Sequence, residues 1–221
     1  MSAPITLALD ASTYAGTVAV FRGEALAAHG EAAMRGRDEE RLMPAVAATL
    51  REARLDVDAL DRVVCGAGPG SFTSLRIAAS IAKGICAARG LPLVAVPSLA
   101  LLVAGAGPRP AGRYLATMDA MRGERYASLV TLDADGTVLE VGAVELHPAA
   151  AIAARAAALG AAVVASDERA RPDARGALQV LRARGVDAAP VPLDAWEPAY
   201  GRVAEAQARW EAAHGQPLPH A

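Results

Sequence analysis

The sequence predicts an α/β fold of two tandem domains, each a mixed sheet flanked by helices. Three observations predict it. Short apolar runs that suit strands alternate with longer runs of helical period. A strand ending in aspartate, a tight turn and two further strands open the chain, and the same order returns past residue 113. A Pro/Gly-rich stretch at residues 105–112 separates the two passes and places the domains at 1–108 and 109–221.

The elements follow in order. Residues 5–9 form an apolar strand ending at Asp10, residues 17–21 a second after the turn at Gly16, and residues 25–29 a third after Arg22-Gly23. From about Asp38 the period changes, and Leu42, Met43, Val46, Ala47 and Leu50 share a helical face. Residues 63–65 are a buried strand, 73–88 an apolar helix, and 93–96 a strand stopped by Pro97, after which Ser98 can cap a helix over 99–104. The second pass has strands at 114–118, ending at Asp119, and at 126–132. A hairpin turn at 133–136 leads into a strand over 137–146. A helix over 148–159, a strand over 161–165 and a helix over 172–184 complete it.

Composition excludes several classes. With 221 residues, roughly 70% of the unfolded surface can be buried, so neither disulfides nor a structural metal are needed. Apolar residues are 53% and charged residues 21%, which rules out a disordered chain. Cys65 and Cys86 lack zinc-knuckle spacing and read as buried thiols in a reducing compartment. His29, His147, His214 and His220 form no i,i+4 pair, so no metal or other cofactor is expected. The first basic residue is Arg22, which does not suit a charged leader. The longest uncharged run, residues 90–108, is interrupted by Pro92, Pro97 and Gly105, so the expectation is a cytoplasmic protein with no membrane segment. Charge is uneven: no acid lies between Arg62 and Met118, where Arg62, Arg76, Lys83, Arg89, Arg109 and Arg113 are the only charges. That stretch either attracts an anion such as phosphate or RNA, or consists of solvated element ends.

The strongest local signal is the run from Cys65 to Arg76, in which Gly66, Gly68 and Gly70 precede Ser71, Thr73 and a helix. Glycines allow close backbone approach, and a helix start offers free N–H groups to an anion. The run lacks the Lys of a Walker A loop, has Ser71 where a dinucleotide fingerprint needs its third Gly, and lacks the flanking glycines of a hydrolase elbow. It is either a packing loop or an anion site of another kind, with Asp10, Ser12, Gly68, Gly70, Ser71 and Thr73 as candidate ligands for a nucleotide or phosphate. Asp10 and Asp119 at strand ends are either functional carboxylates or turn caps.

At these residues the chain resembles the TsaB (YeaZ) family. Leu7-Ala-Leu-Asp10-Ala-Ser-Thr13 resembles the family's opening, and Gly68-Pro-Gly-Ser-Phe-Thr73-x-Leu-Arg76 its most distinctive stretch. Asp119-Ala-x-x-x-Glu124-x-Tyr126 and Glu197-Pro198-x-Tyr200-x-Arg202 resemble two later elements, in family order over nearly the whole chain. The resemblance implies two actin-like (ASKHA, ribonuclease H-like) domains and a non-catalytic paralogue of TsaD. It implies a complex with TsaD and TsaE that transfers threonylcarbamoyl to N6 of the tRNA adenosine adjacent to the anticodon, tRNA being met only through the complex. Ser74 stands where relatives have Gly, Gly201 where Leu is usual, and Arg37-Asp38-Glu39-Glu40 replaces a His-Ser-Glu stretch.

The second helix is apolar or small almost all round. A partner face is therefore expected from Leu75, Ala78, Ala79, Ala82 and Ile85 beside Leu42, Met43 and Val46, used for TsaD or, in the free protein, for a homodimer. An ATP-dependent phosphotransferase of the same fold, using Asp10 and the Gly66 loop, is the alternative.

Overall fold

The computed structural model describes residues 3–34, 40–105, 107–167, 169–201, 210 and 214–215. Its centre is β1 (Ile5–Asp10), apolar on both faces and buried along its whole length. It pairs antiparallel with β2 (Ala15–Arg22), which pairs antiparallel with β3 (Ala25–Ala33). On its other side β1 runs parallel to β4 (Arg62–Gly66), and β4 parallel to β5 (Leu93–Val96), giving the order β3-β2-β1-β4-β5.

The second sheet repeats that arrangement. β6 (Gly112–Asp119) pairs antiparallel with β7 (Glu124–Leu132) and parallel with β10 (Ala162–Ala165). β7 also pairs antiparallel with β8 (Val138–Val141) and β9 (Glu145–Pro148), so β6, β7, β8 and β10 stand as β1, β2, β3 and β4 do. Both sheets are mixed, as the two-pass pattern predicts.

Strand alternation separates the cores. Leu7, Leu9, Val18, Val20, Val63 and Cys65 point to one face of the first sheet, with α1 (Leu42–Glu52) and α2 (Phe72–Arg89). Helix α1 buries Leu42, Val46, Thr49 and Leu50, a stripe at helical spacing, and lies close to β3 because Gly30 has no side chain to meet Thr49. Helix α2 ends at Gly90, whose left-handed backbone returns its N–H to the Cys86 carbonyl.

Ala8, Ala19, Phe21, Val64 and Val96 point to the opposite face. There α3 (Ser98–Ala104) and α5 (Ala177–Val180) fill the space against Tyr114, Ala116 and Met118 of β6. Leu99, Leu101, Leu102 and Val103 are all buried in that layer, each contributing about 1.5–3 kcal/mol over an exposed position. Helix α4 (Ile152–Leu159) covers the outer face of the second sheet through Ile152 and Ala156.

Three local expectations are corrected. The expected strand over 137–146 is two strands, because the chain bends at Gly142, whose N–H donates to Leu129 and whose carbonyl accepts from Ser128 Oγ. The expected helix over 172–184 shrinks to a 3-10 turn and four α-helical residues. Gly176 presses on the backbone of Ala104 and Gly105, and Arg184 leaves the helix to pair with Leu139 and Val141 of β8. Ser98 begins α3 rather than capping it, and its hydroxyl is used elsewhere. The Arg37-Asp38-Glu39 departure, Arg202 and the start expected for the first helix near Asp38 lie outside the described residues.

Beyond α5 the chain crosses back to the first half. Val191 N–H donates to Leu93, Lys83 Nζ donates to the Trp196 carbonyl at 3.0 Å, and Ala199 N–H donates to Ala67 at 2.7 Å. Among the described residues no helix is long and apolar enough to cross a membrane.

Candidate functional site

Asp10 ends β1 fully buried, with both carboxylate oxygens occupied. Oδ1 accepts from Ser12 N–H at 2.8 Å and Ser12 Oγ at 2.7 Å, and Oδ2 accepts from Ser98 Oγ at 2.5 Å. Ser98 Oγ in turn accepts from Gly68 N–H at 2.9 Å. Burial pushes the carboxyl above the usual carboxylate range, and the bonds from Ser98 and Ser12 pull it only part of the way back. A methyl group on Gly66 would run into this carboxylate. The arrangement ties β1, the glycine loop and α3 together and leaves Asp10 no open side.

The glycine loop closes in the same way. Gly68, at φ +88°, lies against the Ala199 carbonyl and accepts from Ser98 N–H at 3.0 Å. Gly70 lies against the Ser12 carbonyl, where a Cβ has no room, and Ser71 N–H donates to that carbonyl at 2.8 Å. Ser71 Oγ and Ser74 Oγ are 3.1 Å apart, so the Ser74 departure adds a bond inside the loop. The N–H groups of Gly68 and Ser71, which an anion would need, already have acceptors in the chain. These bonds, with the close contacts of Gly68 and Gly70, are what a packing loop makes.

The six candidate ligands therefore divide. Asp10, Ser12 and Gly68 join one buried network; Ser12 also reaches the wall of a cleft with Gly70 and Ser71; exposed Thr73 lines a separate groove. The cleft, about 470 Å3, lies between the two sheets' loop ends. Its second wall carries Met118, Asp119, Met121, Asp167 and Arg171. Asp119 Oδ1 accepts from Met121 N–H, making the turn cap weighed at the sequence. Asp167 lies below the usual carboxylate range because the Ala170 and Arg169 N–H groups donate to it. Arg171 is ion-paired with Glu31 across the halves. Sequence reasoning missed this cleft, since its walls come from turns about a hundred residues apart. At the second wall Met121 and Arg122 hold left-handed backbone (φ 62° and 54°) in the turn beside Gly123, a conformation costly for side-chain-bearing residues.

The groove, about 490 Å3, runs between the start of α1 and α2, lined by Glu40, Phe72, Thr73, Arg76, Ile77 and Ile81 with Ser80. The expected partner face is corrected here. Leu42, Val46, Leu75, Ala78, Ala79, Ala82 and Ile85 are all buried in the chain's own interior, because α2 turns this face to the first sheet. Of that set only Met43, 38% exposed, reaches solvent. On the groove side of α2, Thr73, Arg76 and Ser80 are exposed and Ile77 and Ile81 half-buried.

Among the described residues no three His, Cys, Asp or Glu side chains cluster as ligands would, and burial raises the Cys86 thiol to about 11 and Cys65 higher still.

The profile of the family described as TsaD, tRNA N6-adenosine threonylcarbamoyltransferase, matches residues 33–158, more than half of the chain. The tRNA threonylcarbamoyladenosine biosynthesis protein TsaB of Escherichia coli K12 is 34% identical over 59% of this chain and 56% of its own length. The TsaB of Bacillus subtilis 168 is 32% identical over 56% of this chain and 53% of its own. The chain thus spans about half the length of the curated relatives it matches. Among solved structures, YeaZ from Pseudomonas aeruginosa superposes with a TM-score of 0.68 at 26% identity, over 89% of this chain and 99% of that one.

Proposed function

The chain belongs to the TsaB (YeaZ) family, within the wider group that the threonylcarbamoyltransferase profile describes, and from that premise we propose that it is a non-catalytic subunit in making threonylcarbamoyladenosine on tRNA. In this reading TsaD carries the transfer chemistry, TsaE completes the complex, and this chain meets tRNA only as part of it. The observation that carries the non-catalytic role is the closure of the Asp10 network and glycine loop on the chain itself. A phosphotransferase of this fold needs its strand-end carboxylate free for a nucleotide and its metal, and here both oxygens of Asp10 and the N–H groups of Gly68 and Ser71 are engaged within the chain. Docking is assigned to the outward residues of α1 and α2, Met43, Ile77, Ser80 and Ile81, which replace the buried set expected from the sequence.

The test mixes the purified chain with TsaD from its own organism. A stable complex on size exclusion, with no ATP turnover by the isolated chain, is expected. Steady ATP hydrolysis by the chain alone that Asp10→Asn abolishes would overturn the proposal.

A further inference from the structure

The cations of the acid-free stretch differ in how the chain holds them. Arg62 Nε donates to Thr6 Oγ1, Lys83 to the Trp196 carbonyl and Arg89 to Asp58. Arg109 and Arg113 donate to the carbonyls of Val103 and Leu159. Arg76 differs from these five in being held by two aromatic rings and a tyrosine hydroxyl.

Arg76 is exposed on α2 at one end of the groove. Its guanidinium lies 4.3 Å above the Phe72 ring and 5.4 Å from that of Tyr200, and its Nε donates to Tyr200 Oη at 3.3 Å. The two rings are themselves in contact, with centroids 4.6 Å apart. Among the described residues no carboxylate pairs with it. Glu40, across the groove, directs its carboxylate to the N–H groups of Leu42 and Met43 at the start of α1. A guanidinium held by two rings has already lost much of its side-chain freedom, so an anion meeting its remaining N–H groups finds them in place.

We infer that Arg76 is the ionic anchor of the docking face and selects a protein partner that presents a carboxylate beside an apolar stripe. This rests on the docking role proposed for α1 and α2. The surroundings favour a protein carboxylate over an RNA phosphate. Beside Arg76 the groove continues into Ile77 and, one helical turn on, Ile81, whereas a nucleic acid track requires several cations in line. The anchor also gives the Glu197-Pro198-Ala199-Tyr200 segment a purpose. Ala199 is tied to Ala67, which delivers the Tyr200 ring to Arg76, so the end of the chain completes a site on an N-terminal helix.

The experiment measures affinity for TsaD of the same organism by calorimetry, at low and high salt, for the wild-type chain, Arg76→Gln, Arg76→Lys and Tyr200→Phe. Arg76→Gln is expected to weaken binding about tenfold or more and to flatten its salt dependence, while its melting temperature stays at the wild-type value. Arg76→Lys, keeping charge but not the planar fork, should recover part of the loss, and Tyr200→Phe should fall between wild type and Arg76→Gln. Wild-type binding with equal affinity for Arg76→Gln overturns the anchor and leaves the docking role standing. Absence of any wild-type complex overturns both. A loss of tRNA binding in Arg76→Gln with TsaD affinity unchanged makes the anion a phosphate and overturns the anchor. Should Arg76→Gln lower the melting temperature, Arg76→Glu decides instead. Its rescue by a carboxylate-to-Arg replacement in TsaD supports the anchor, and failure of every contacting acid to rescue overturns it.

Discussion

Asp10 is a carboxylate whose position suggests chemistry and whose contacts give it a structural duty. Because burial raises its folded-state value above the unfolded 3.8, the charge on Asp10 opposes folding. That penalty is absent below the unfolded value and grows as pH rises from about 4 through the raised folded value. Asp10→Asn keeps an oxygen for Ser12 and offers an amide to Ser98 without the charge. Its stability relative to wild type, read as urea midpoints across that range, should improve as pH rises. Asp10→Ala leaves the Ser12 N–H without an acceptor and should lose about 1–3 kcal/mol at neutral pH. Equal midpoints for all three proteins would remove Asp10 from the fold's framework. Gly201 shows the same dependence on surroundings. Its φ of +77° and the Tyr126 ring beside it leave no space for a Cβ, so only glycine fits there.

At the scale of elements, α2 has two faces with opposite tolerances. Ala82 is fully buried against the first sheet, so Ala82→Glu should prevent folding rather than merely block a partner. Ser80 faces outward, and Ser80→Glu should leave the melting temperature unchanged while abolishing co-elution with TsaD. Co-elution of Ser80→Glu at wild-type levels would move the docking face elsewhere. The loop before α2 is intolerant for a different reason. Gly68→Ala meets both a left-handed backbone and the Ala199 carbonyl, and should cost more than about 1 kcal/mol in thermal unfolding.

Across the whole molecule, one hydrophobic cluster contains Ala8 and Val64 from the first sheet, the residues of α3, and Met118 and Val130 from the second. We propose 108/109 as the division between two actin-like halves, and this shared layer predicts that they unfold together. Scanning calorimetry should show a single transition with calorimetric and van't Hoff enthalpies equal, and two resolved transitions would show independent halves. The outward face of α1 and α2, unpartnered in the free chain, should also produce a homodimer in sedimentation that Ser80→Glu dissociates.

The sequence by itself determined the strands except that over 137–146, the α1 and α2 periods and the repeat of topology, because alternation and helical spacing are local consequences of which side is buried. Asp10 and the glycine loop were likewise visible as a constellation. What only tertiary structure decided was their meaning. Ser98 and Ala199, far along the chain, supply the contacts that close the loop, and no local pattern encodes a contact between residues 68 and 199. The direction of α2 was marked only in part, by the polar stripe of Thr73, Arg76, Ser80 and Lys83 at helical spacing. The Ala and Ile residues flanking that stripe suit either side, and packing placed Leu75, Ala78, Ala79, Ala82 and Ile85 inside and left Ile77 and Ile81 beside Arg76 on the groove.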